Sequence, residues 1–144
     1  MLYQDELLGY FYKVIAYFSC AVILIPAGRD IVATHKSILP GDDKIIALLT
    51  VHPAAALWLW PMWGFNHCAL VVLKLRAVYT DDKFMLKFLF ATAVFTTYLL
   101  IISESEMVKA GATMMGFIII CSLQCLSLGY LGFISGGDDK AKVQ

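Results

Sequence analysis

The stretch 45–75, IIALLTVHPAAALWLWPMWGFNHCALVVLKL, carries no acidic or basic side chain until Lys74, and it holds all three tryptophans and two of the three histidines. A helix in water could not present such a sequence, because its outer face would hold a long apolar strip against solvent. The stretch also exceeds the roughly 20 apolar residues that cross a bilayer. Three further apolar runs flank it. Hydrophobic residues make up 60% of the chain and charged residues 15%, against about 25% charged in soluble domains. The expected fold class is therefore all-α: a polytopic transmembrane protein of about four spans with a long bent second helix, forming a single membrane domain over 1–144.

The expected spans are 7–27, 54–74, 84–103 and 108–134, with a polar connection at 29–44 and a polar tail from 135 to 144. Tyr3, Tyr10, Tyr12 and Tyr17 crowd the early half of the first span, where amphipathic rings suit the headgroup layer. Pro26 and Gly28 are expected to end it. As one upright helix, 42–79 would measure roughly 57 Å, nearly twice the hydrocarbon thickness. Pro53 and Pro61 suggest a bent helix, with a re-entrant hairpin at Trp58–Gly64 as the alternative. Lys74, Arg76, Lys83 and Lys87 read as a basic connection at the membrane surface. With both termini on that same side, the basic turn places the side toward cytosol, matrix or stroma. The N-terminal MLYQDELLGYF has neither the basic start nor the cleavage site of a signal peptide.

Candidate ligands are few. On a continuous helix His52 and His67 stand about 22 Å apart along the axis, so they cannot share a metal. Each is a candidate axial ligand for a haem or for the magnesium of a chlorophyll. Two bis-histidine haems would need four histidines, and the chain has three. A single haem, quinone or pigment held with another chain's help, or with Met62 or Met115, stays open beside the plainer expectation that no cofactor is bound. Ser103-x-x-Glu106 has the form of a capping box opening the fourth helix, with Glu104 and Glu106 in its first turn. The tripeptide DDK recurs at 42–44, 81–83 and 138–140, and its first two copies read as N-caps.

Other chemistry is discouraged by what is missing. No Asp, Glu, Lys or Arg falls within 14–27, 45–73, 88–103 or 110–137, whereas pumps and ion-coupled carriers need intramembrane ionisable groups. No CxxC, nucleophile–base pattern or phosphate loop is present. Zero net charge gives no basic footprint for nucleic acid. Packing surfaces are present instead. Cys121, Cys125, Gly129 and Gly132 form a small-residue strip, Ala112 and Gly116 begin another, and Gln124 borders the first, where its amide would bond across to a neighbouring helix.

The expected role is a non-catalytic structural or accessory subunit of a hetero-oligomeric membrane complex. Its partners would be lipid and other membrane subunits, in the mitochondrial inner membrane first and the thylakoid second. The alternatives are a haem-, quinone- or pigment-binding anchor using His67 or His52, and a small channel or carrier for a neutral solute.

Overall fold

The computed structural model describes residues 2–32, 53–109, 111 and 113–135, with only the backbone described at 2–3 and 53–60. Over these residues four helices follow in order: α1 (Leu2–Val32), α2 (Pro53–Thr80), α3 (Lys83–Lys109) and α4 (Met115–Gly129), the last extended by a π-helical turn over Tyr130–Ile134. No strand occurs among the described residues. Three described segments are long and apolar enough to cross a membrane, Gln4–Val32, Lys83–Lys109 and Met115–Ile134.

Each helix runs antiparallel to the one before it. Gly64 of α2 lies against Ala27 and Asp30 of α1. Gln124 of α4 lies at the level of Cys20, and the Tyr130 ring stacks on Tyr12 with centroids 4.2 Å apart. Between α3 and α4, Phe90 meets Gly129 and Thr97 meets Cys125. The core joins Ala16 of α1, Ala77 and Val78 of α2, Leu86, Leu89 and Ala93 of α3, and Leu128 and Leu131 of α4. Packing is uneven around this core. Among the described residues, helix α1 packs closely on α2 and on α4, and α4 on α3, while α2 and α3 make only slight contact.

Several element ends differ from expectation. Helix α1 continues through Pro26 and Gly28 to Val32. Proline is tolerated inside a membrane helix when neighbours re-satisfy the backbone, and here Arg29 and Asp30 are buried and paired, Nε to Oδ1, at 2.7 Å. The polar connection therefore does not begin at Arg29, and 33–44 lies outside the described residues. Helix α2 is continuous from Pro53 through Pro61 to Thr80, so no hairpin turns at Trp58–Gly64.

Helix α3 also outruns its expected end at 103. Ser103 donates to its own helix at Leu99 O instead of capping a new one. The capping box is therefore not formed. Glu104 instead reaches across the turn: Oε2 accepts from Met114 N–H at 2.7 Å and Oε1 from the Thr113 hydroxyl at 2.5 Å. A carboxylate near the end of one helix thus neutralises the positive start of the next. Replacing Glu104 by Ala is expected to cost about 1–2 kcal/mol, the range for a lost N-terminal cap, measured by thermal unfolding in detergent, with Glu104→Gln intermediate.

The other end of the α3–α4 hairpin is held comparably. Asp82 Oδ1 accepts from Met85 N–H, so the middle DDK does open a helix. Asp81 takes a left-handed φ of 53° at the end of α2. Lys83 donates to Asp81 and, at 2.9 Å, to the Leu131 carbonyl in the π-helical turn. The other two DDK copies lie outside the described residues. Between Lys83 and Glu104 the rise along α3 is about 31 Å, which matches the hydrocarbon thickness of a bilayer.

Candidate functional site

Inside the bundle, a polar constellation is built around Lys74. Helix α2 runs on to Thr80, so Lys74 sits well before its end. The side chain shares an inward face with Val71 and Val78, which are fully buried. Its position is only 8% exposed. Lys74 Nζ donates to Gln124 Oε1 of α4 at 2.6 Å. The Gln124 amide nitrogen in turn approaches the buried Cys20 thiol of α1 at 4.0 Å. Cys121, one turn before Gln124, is buried, and Cys125 is the next residue along the helix.

The surroundings are otherwise closed on themselves. Ser19 donates to Ala16 O, Ser127 to Gln124 O, and Thr97 meets Cys125 Sγ at 3.4 Å. No described buried side-chain polar atom is left without a hydrogen bond. Charge is another matter. An ammonium has three N–H donors, and Gln124 takes one. Among the described residues no carboxylate lies within ion-pair distance of Lys74.

Depth gives this arrangement its weight. Gln124 is about 10 Å along α4 from Leu131, where Lys83 bonds, and about 15 Å from Met114, where Glu104 bonds. The amine therefore sits near mid-height between the two charged ends. The expectation that Lys74 belongs to a surface connection is corrected, and with it the premise that the bundle holds no ionisable group. A signal for this was present: Lys74 follows His67 by seven residues and Val71 by three, on the face that the apolar pattern turns inward.

The other expected site residues fall as follows. His67 is half-buried on α2, its Nδ1 2.9 Å from the Trp63 carbonyl and its ring stacked on the Trp63 indole. A carbonyl only accepts, so Nδ1 carries the proton, and in the neutral ring Nε2 keeps the lone pair. His52 and Ala112 lie outside the described residues. Gly116 faces open space, where a methyl group in place of its hydrogen would meet nothing within 4 Å. Cys121 is buried, and Gly129 and Gly132 admit the Phe90 ring and the Lys87 backbone respectively. All four cysteines are free thiols. No three His, Cys, Asp or Glu side chains among the described residues are placed to hold a metal ion.

No family model, curated protein or solved structure matches the chain. The chemistry available at the site must be read from its own atoms. Lys74 and Gln124 offer hydrogen-bond donors and positive charge to an oxygen acceptor, next to soft thiols. A shallow concavity lies elsewhere, on the outer face of α1 along Leu7, Leu8, Tyr10, Phe11 and Val14, and it is open and apolar.

Proposed function

We propose that this chain is a non-catalytic structural subunit of a multi-subunit membrane complex, with all four helices crossing the bilayer. The observation that carries this reading is unfinished packing. Among the described residues α2 and α3 make few contacts, and large apolar side chains such as Trp63 and Leu99 stay exposed on them. A self-sufficient bundle would close that side; a subunit leaves it for a neighbour. An energy-transducing membrane, mitochondrial inner before thylakoid, is the proposed setting, by analogy with where small charge-poor subunits serve.

The test is the native mass in a mild detergent. The expected particle is far larger than the chain's own 16.0 kDa and contains other polypeptides in fixed ratio. A monomer or small homo-oligomer would overturn the proposal.

A second reading is favoured by one observation. The His67 proton on Nδ1 is pinned to Trp63 O, which is how a metal-ligating imidazole is commonly oriented through its other nitrogen. As a haem, quinone or pigment anchor, the native protein would show a visible absorbance band. That band is expected to vanish in His67→Ala, and a colourless native preparation would exclude the haem and pigment forms of this reading.

A further inference from the structure

We propose that the Lys87 ammonium, set over the Phe133 ring where α3 meets the π-helical turn, binds the phosphate of an anionic phospholipid; this rests on the reading above that the helices cross the bilayer. The first observation is how the ammonium is held. A Cβ on Gly132 would lie 3.3 Å from the Lys87 backbone nitrogen and 3.4 Å from its Cγ, so the start of the lysine stem lies against the glycine. The ammonium ends 5.3 Å from the centre of the Phe133 ring, within the range at which an aromatic face attracts a cation. Phe90 meets that ring edge-on, with centroids 5.5 Å apart, and so fixes the aromatic in turn. Part of the rotamer freedom that a surface lysine loses on binding is thus given up beforehand.

The second observation is charge. Lys83, one turn earlier, is committed to Asp81 and to the Leu131 carbonyl. Asp82 accepts from Met85 N–H. Both carboxylates of the 81–82 turn therefore have local partners. Lys87 has no carboxylate within ion-pair distance among the described residues, and its side chain is exposed. It is the cation of this turn that keeps its charge for a ligand.

The third is what surrounds it. Lys87 lies about 6 Å along α3 from Lys83, at the shallow edge of the span that ends at Glu104. Phe84, Phe88 and Phe133 are all exposed beside it. A lysine at this depth keeps its stem among acyl chains and its head at the headgroup layer. A soluble phosphate would satisfy the ammonium and leave the three rings bare. A phospholipid covers both, with acyl chains on the rings and phosphate on Lys87. A net negative headgroup is favoured over a zwitterionic one, which brings an ammonium of its own.

The probe is phosphatidylglycerol against phosphatidylcholine of the same acyl chains. They are supplied in equal amounts to the purified full-length chain in detergent, and the lipid retained is counted by native mass spectrometry. Phosphatidylglycerol is expected to be retained at least about fivefold more often, the worth of one well-placed lysine. The preference should be lost in Lys87→Met and in Lys87→Gln and kept in Lys87→Arg. Arg76→Gln, which removes an exposed cation from the same end of the bundle, should leave it unchanged.

Equal retention of the two lipids, or a preference that survives both neutral variants, overturns the proposal. So does an equal loss in Arg76→Gln, which would make the attraction a property of the whole surface. Displacement of the lipid by an equal concentration of glycerol phosphate would make a soluble phosphate the ligand. A preference seen only after Asp138 and Asp139 are replaced by Asn would make the chain's own acidic tail the occupant. A large native particle without the lipid preference removes this inference and leaves the subunit reading standing. A monomeric native protein with the preference does the reverse.

Discussion

Replacing Gln124 by Leu is expected to lower the stability of the purified protein by about 3–5 kcal/mol, because it leaves the Lys74 amine buried without an acceptor. The substitution conserves apolar volume, so packing alone would predict little change. Lys74→Met should be far milder. It removes the charge and fills the space with a flexible side chain, and what remains is an amide oxygen without its donor, worth about 1 kcal/mol. The double variant should recover most of the loss seen with Gln124→Leu. Unfolding by heat or by an anionic detergent, followed through helical circular dichroism, makes the comparison. A Gln124→Leu protein as stable as the parent would show that the 2.6 Å bond between Lys74 and Gln124 does not satisfy the amine.

The second large effect is expected at Gly64. A Cβ there would lie 2.5 Å from the Ala27 carbonyl oxygen and 3.0 Å from Asp30 and Ile31. The nearest obstacle is backbone, which no rotamer change can move aside. Gly64→Ala should therefore push α2 away from α1 and cost about 1–3 kcal/mol, the usual range for overpacking, and Gly64→Val should cost more. Gly116→Ala is the matched control. Its new methyl meets nothing within 4 Å, and exchanging Gly for Ala in a helix gains roughly 0.5–1 kcal/mol. Equal melting temperatures for the two alanine variants would show that α1 and α2 do not approach as closely as Gly64 and Ala27 require.

The all-helical class and the rough place of each helix were legible because runs of apolar residues need no tertiary information. Cys121, Cys125, Gly129 and Gly132 recur at helical spacing, and in the structure the Phe90 ring lies against Gly129 and the Lys87 backbone against Gly132. Helix ends were harder. Pro26 and Gly28 stop helices in water, but inside a bundle the Arg29–Asp30 pair and the close fit of Gly64 carry α1 past them. Ser103-x-x-Glu106 has the local form of a start signal, and only the distance from Glu104 to Met114 shows that the acid works across the turn. Lys74 was misplaced through its neighbour. Arg76 belongs near the surface, yet two residues along a helix is about 200° of rotation, enough to turn Lys74 inward. Its partner, fifty residues away, has no local signature.

That separation has a consequence for how the chain is made. The α3–α4 hairpin carries clamps at both ends, Glu104 on Met114 and Lys83 on Leu131, and these come together as soon as its two helices have left the ribosome. Helix α2 is older by synthesis and packs on α1 through Gly64, but its amine can meet Gln124 only once the last helix is made. The Lys74–Gln124 bond is thus the one hold on the second helix described here that only the last helix can supply.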